Sequence, residues 1–307
     1  MIICCGEALI DMLPRELCDG QNSFLPVAGG AIFNTAIALG RLGEPTGFLA
    51  GVSSDMFGGQ LREVLEASKV STDYCVSVDN PTTLAFVKLT NGNAEYTFMD
   101  ENSATRSLTP AMLPDLPSDT LALHFGAISL IPEPCGSAYE ALMKREAGKC
   151  VISLDPNIRT SFIADEAGHR VRILRMLAMS DIVKVSDEDL VWIYPDMDLD
   201  VAVRKIVELG VSIVLLTKGA DGVTAFTKDT QFDVASEKVE VVDTIGAGDT
   251  FNAGLLSGLK KIGCLDKNAL KTIDEEKLTS AIKLANKVAA ITVSRAGANP
   301  PWAKELS

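Results

Sequence analysis

With only two histidines and no paired cysteine spacing, this 307-residue chain has little material for a histidine-based metal site or a Ser-His-Asp triad. No Gly-x-Gly-x-x-Gly follows its first apolar run, and no Gly-x-x-x-x-Gly-Lys-Ser/Thr occurs, so neither dinucleotide oxidoreduction nor the P-loop mode of phosphate binding is supported. Basic residues are in deficit, 28 against 41 acidic, and no basic tract offsets the net charge of −13. That balance argues against a nucleic-acid or anionic-membrane partner. No apolar run approaches membrane-span length. The opening Met1-Ile2-Ile3-Cys4-Cys5-Gly6 has no basic leader, and Glu7 and Asp11 interrupt it before a signal core could form, so the chain reads as soluble and untargeted. Seven cysteines, an odd number, read as reduced thiols in a cytoplasmic protein, with Cys4-Cys5 as strand packing and His124 as a hydrogen-bonded core histidine.

What is present is enough apolar residue, 47%, for a large core, arranged as short apolar runs alternating with amphipathic stretches. Strands are expected at 2–6, 46–51, 121–126, 150–154, 181–185 and 212–216. Helices are expected near 33–42, 58–67, 137–147, 168–179, 187–193 and 199–209, then at 249–262 and 275–293. This rhythm predicts an α/β fold, a doubly wound and mainly parallel sheet covered by helices on both faces. Residues 75–99 break it. Val76–Val78, Thr83–Leu89 and Glu95–Phe98, with an Asn91-Gly92-Asn93 turn, read as a β-hairpin. Ligands in such folds sit outside the carboxyl ends of the strands, so an insertion at about 75–105, with short elements near 8–30, is placed to act as a small β-sheet lid.

The most informative stretch is Asp243-Thr244-Ile245-Gly246-Ala247-Gly248-Asp249-Thr250-Phe251, where two carboxylates bracket a glycine turn that runs into an apolar helix. Gly246 and Gly248 can let successive N–H groups converge at the positive end of the helix dipole, an arrangement that suits phosphate. Asp249 would repel such a ligand unless it had chemical work to do, and general base is the role that fits. The alternative is a carboxylate that merely caps the helix.

At these residues the chain resembles the ribokinase, or phosphofructokinase-B, family of carbohydrate kinases, whose C-terminal signature Asp-Thr-x-Gly-Ala-Gly-Asp is matched by 243–249. The family's N-terminal signature is matched by Gly29, Gly30, Asn34, Ala36, Leu42 and Gly43, and the resemblance spans essentially the whole chain. It implies an ATP-dependent kinase that uses Mg²⁺ and, in many members, K⁺, phosphorylating a primary hydroxyl of a sugar beneath a lid that often forms a homodimer. Asp249 would be the base, with Gly246, Ala247 and Gly248 stabilising charge on the transferring group. Asp243 would orient the loop or, with backbone oxygens near Ile245 and the 294–297 turn, help hold a monovalent cation.

Sugar recognition needs several groups that both donate and accept. Asp11, Gly29, Gly30, Asn34 and the lid's Phe98 are the first candidates, followed by Asn157 and Arg159 after the strand ending at Asp155. Arg159 could equally form a surface ion pair. Lys184 and Ser186 end the next strand, and here the sequence departs from the family: Ser186-x-x-Asp189 replaces the usual Asn-x-x-Glu tied to magnesium and phosphate, leaving Asp189 as a shortened metal candidate. Thr217, Lys218, Gly219 and Gly222 form a glycine-flanked turn suited to nucleotide phosphate or ribose. Ala285, Asn286 and Ala289 could line an adenine slot or simply pack against the sheet. The opening Gly6–Asp11 and the ending Ser294–Pro301 look most like those of bacterial fructokinases, which implies D-fructose as substrate. A 2-keto-3-deoxygluconate kinase or a ribokinase is the alternative, the former needing a cation among Arg159, Arg106 and Lys88. A catalytically silent sugar-binding protein is the reading outside enzymes.

Overall fold

The computed structural model describes residues 1–90 and 93–306, with the side chains of 88–96 outside that description. The expected Asn91-Gly92 turn and the side chains of Lys88 and Tyr96 therefore lie outside the described residues. A nine-stranded sheet forms the centre. Its order from one edge is Gln231–Val234, Val223–Phe226, Ile213–Thr217, Ile182–Ser186, Val151–Asp155, Ala122–Gly126, Ile2–Cys5, Thr46–Leu49 and Val70–Ser71. Every pairing is parallel except those made by the two strands at 223–226 and 231–234.

Burial on both faces explains the apolar runs. Ile2 and Cys4 pack with Phe33, Ile37, Leu255 and Leu259 on one side, while Ile3 and Cys5 pack with Tyr139, Leu142 and Ile173 on the other. The expected parallel strands and major helices are all present, shifted by a residue or two. The helix Ala247–Lys261 lies unusually close to Glu275–Val293, since a Cβ on Gly254 would stand 2.6 Å from the Ala285 Cα and one on Gly258 would stand 2.9 Å from the Ala281 Cα. Ala285 is thus spent on helix packing rather than on the sheet, and it is fully buried.

The lid includes the short elements expected near 8–30. It is a four-stranded sheet in the order Asn22–Gly29, Leu9–Glu16, Leu84–Thr90 and Asn93–Met99, so half of it comes from the first thirty residues. Pro14, Arg15 and Glu16 obscure the strand pattern there. Val76–Val78 does not belong to the lid: it pairs in parallel with Gly51–Ser53 in a separate two-stranded sheet. The antiparallel edge strands 223–226 and 231–234 also escape the alternating rhythm. Within the polar stretch after Lys261, Asp266 caps a short helix, Lys267–Lys271, by accepting from the N–H groups of Asn268 and Ala269.

Candidate active site

The strand order reverses beside Ile2–Cys5, because the chain first adds strands on one side of it and then crosses to Ala122–Gly126 on the other. Such a switch point opens a crevice at the carboxyl ends of the strands. Glu7 sits in it, fully buried, and its carboxylate accepts from the N–H groups of Ala31 (2.8 Å), Ile32 (3.3 Å) and Ser129 (3.3 Å). This anion at the N-terminus of the helix Ala31–Arg41 fixes that helix relative to both strands. Gly30 precedes it with φ of 115°, and a Cβ there would meet the Glu7 carbonyl at 2.9 Å.

Asn34, on the first turn of that helix, donates from Nδ2 to Asp249 Oδ2 at 2.9 Å, and the Thr35 hydroxyl donates to the Asp249 carbonyl at 3.0 Å. The two family signatures therefore meet in space. Gly246 caps the second helix in the left-handed region, φ 78°, and the first-turn N–H groups that follow lack intrahelical acceptors. Burial, reinforced by Asp155 and Glu7 and opposed by Asn34 and Lys184, pushes the Asp249 carboxyl up to about 7.

Beneath this turn lies a buried polar network. Asp155 Oδ2 accepts from Lys184 Nζ at 3.0 Å and from Asn252 Nδ2 at 2.8 Å, while its other oxygen is buried without a partner. The ammonium would lie 3.1 Å from a Cβ on Gly248, so the missing side chain leaves Lys184 room beside the turn. Burial opposes the charge on Lys184, but Asp155, Asp189 and Asp249 outweigh it and raise its pKa above the ordinary lysine value. His124 lies in the core as expected, its Nδ1 3.0 Å from Ser153 Oγ, and burial with Lys184 nearby pushes it down to about 3.

On the lid side, Asp11 is mostly buried, which pushes its carboxyl up to about 6. A Cβ on Gly29 would stand 2.5 Å from Asp11 Oδ2, so the glycine makes room for the acid. Phe98 stacks edge-on against Phe162 with centroids 4.3 Å apart, bringing lid and body together. Asn157 takes φ of 41°, and Arg159 is exposed, donating to the Ile158 carbonyl rather than forming the surface ion pair that was the alternative reading.

Asp189 is engaged in structure. It accepts from the Ser186 N–H in a reciprocal capping box and from the Ile158 N–H at 2.7 Å, tying the strand end to the Asn157 loop. Asp243 accepts from the N–H groups of Ile245 (3.0 Å) and Gly297 (2.9 Å), clamping the 243–249 loop to the turn at Gly297. Thr217 lies beside Ser186 in register and donates to the Val185 carbonyl, and Gly219 and Gly222 both have positive φ. Asn286 donates from Nδ2 to the Ala235 carbonyl at 2.9 Å, steadying the backbone beside the Gly222 turn.

The family model for pfkB family carbohydrate kinases matches residues 1–305. The chain belongs to that family. A fructokinase of Rhizobium leguminosarum bv. trifolii is 56% identical to this kinase over 278 residues, covering 91% of the chain and 85% of that protein. A solved fructokinase from Xylella fastidiosa with bound ATP superposes with a TM-score of 0.92 at 30% identity, covering 99% of this chain and 96% of that one. Another, from Vibrio cholerae O395 in a fructose-, ADP- and potassium-bound form, gives 0.84 at 25% identity over 97% and 93%. The kinase's ribokinase-like α/β fold is thus as the sequence implied. Sequence reading missed Glu7, Asp155 and Asn252 as site residues. Two signals were available: a carboxylate just past the first buried strand, and another ending the strand at Asp155.

Proposed function

We propose that the protein is an ATP-dependent fructokinase transferring phosphate to the primary 6-hydroxyl of D-fructose. The observation that carries this is Asp249, a buried carboxylate at the head of a helix whose first-turn N–H groups lack intrahelical acceptors and suit a phosphate, held by a hydrogen bond from Asn34. Asp249 takes the hydroxyl proton as the oxygen attacks, while Gly246, Ala247, Gly248 and the Lys184 ammonium stabilise the charge on the transferring group. Asp11, Gly29, Gly30, Asn34, Phe98, Asn157 and Arg159 receive the sugar. Ser186, Thr217, Lys218, Gly219 and Gly222 receive the nucleotide, with Asn286 supporting the turn from behind.

Magnesium supplies charge neutralisation on the phosphates. Among the described residues no cluster of three acidic, histidine or cysteine side chains could cage a metal, which suits an ion carried chiefly by ATP with Asp189 acting through water. Asp243 and the carbonyls near Ile245 offer hard oxygen donors suited to potassium. The first test is ADP release with Mg-ATP against fructose, ribose, 2-keto-3-deoxygluconate, adenosine and fructose 6-phosphate, with and without potassium. Preference for fructose is expected; preference for ribose or the sugar acid would replace the substrate, and sugar binding without turnover would make the protein a sensor.

No described helix is long and apolar enough to cross a membrane, and the unpaired cysteines favour a cytoplasmic setting. The lid leaves Phe24, Leu25 and Met99 largely exposed, an apolar surface that a second copy would cover. Sedimentation should give a homodimer at micromolar concentration, and a monomer there would remove the lid interface.

A further inference from the structure

The lid register aligns two rows of side chains on its inner face. Asp11, Ala85 and Phe98 form one row, and two residues further along each strand Leu9, Thr83 and Asp100 form the next, with the Thr83 hydroxyl donating to Asp100. Under the second row, behind Phe98, lies a cavity of about 630 Å³ floored by Glu7. Its lining includes no residue of the Ala247–Lys261 helix and meets the candidate sugar-binding residues at Phe98. On the sugar-kinase reading, a sugar whose reacting carbon lies at Asp249 would turn its other end past Phe98 toward this cavity.

The lining carries five carboxylates, among them Glu7, Asp100 and Glu133, against the guanidiniums of Arg106 and Arg172. Burial pushes His169 down to about 4, which leaves it neutral. Arg172 is committed to Glu133, Glu140 and the Leu130 carbonyl. Arg106 lines the same cavity, and its Nη1 pairs with Asp100 Oδ2 at 3.4 Å. Asp100 is held in turn by the Ser103 hydroxyl at 3.0 Å.

We propose that Asp100 is a specificity residue: by neutralising Arg106 it makes the far end of the sugar cleft reject a carboxylate, so that a neutral ketose ending in a hydroxymethyl group enters and a sugar acid does not. The arrangement discriminates by denying the wrong ligand a partner, surrounding its charge with like charges. Asn at position 100 keeps the acceptor for Ser103 and Thr83 and removes only the charge, releasing Arg106 to meet an acid. The inference rests on the sugar-kinase reading above.

The test is inhibition of fructose phosphorylation by 2-keto-3-deoxygluconate, with 6-deoxyfructose as the neutral competitor. Asp100→Asn should lower the inhibition constant of the acid relative to the neutral competitor by about tenfold, the size of one well-placed charge contrast. Adding Arg106→Met should cancel that gain, and Arg106→Met alone should weaken the acid further. An unchanged ratio in Asp100→Asn, or a gain that survives loss of Arg106, overturns the proposal. If Asp100→Asn does not fold, Arg106→Met decides alone: a weaker acid supports the idea and an unchanged ratio overturns it. A wild-type protein inert toward fructose would instead sink the functional reading before any variant is made.

Discussion

Asp249→Asn is expected to lower kcat by about 10²–10⁴ while sugar and nucleotide still bind, because only the proton acceptor is lost. The wild-type pH profile should carry the same signature. With the carboxyl pushed up to about 7 by burial, Asp155 and Glu7, kcat/KM should climb as pH rises through that value, and the climb should vanish in the variant. Stability should move the other way. The folded-state value lies above the unfolded 3.8, so the native state holds this proton more tightly and stability is lost as pH rises from about 4 to about 7. Above pH 8 the loss is on the order of 4 kcal/mol. The Asn variant should therefore melt higher than wild type at pH 8 and nearly equally at pH 4. Retained turnover, or a lower melting temperature at pH 8, would remove Asp249 as a strained buried base.

That strain explains which parts of the site were legible in the sequence. Gly246 and Gly30 answer a local demand, a positive φ, and local demands leave local patterns. The meeting of Asn34 with Asp249 followed only from the resemblance, since 215 residues separate them. Glu7 looked like an interruption of an apolar run because its partners Ala31 and Ser129 are 24 and 122 residues away. The parallel strands were legible because burial on both faces makes them uniformly apolar. The lid elements near 8–30 were legible only as short pieces and not as the full strands 9–16 and 22–29, because Pro14, Pro26 and the charged residues dilute the alternation. In Ser186-x-x-Asp189, read as a departure from the family's metal motif, the shorter side chain also closes a capping box and holds the Asn157 loop. What it keeps is position, which a catalytic loop needs as much as charge.

Lys184 and Asp155 present the same choice between structure and chemistry, and a pair of variants separates them. Lys184→Met leaves the Asp155 carboxylate buried with Asn252 as its remaining partner, which should cost about 3–5 kcal/mol of stability. Adding Asp155→Asn removes the stranded charge and should restore most of that stability, because two neutral groups replace an ion pair whose desolvation offset much of its attraction. Turnover should not follow. If the ammonium beside Gly248 stabilises the transferring phosphoryl group, both variants should lose about 10²–10³ in kcat, the range seen when one preorganised donor is removed. Urea titration and steady-state kinetics on the two proteins decide it. A double variant that regains stability and turnover together would make Lys184 a structural counterion; one that regains only stability places its charge in the reaction, with Asp155 holding it against the phosphate loop.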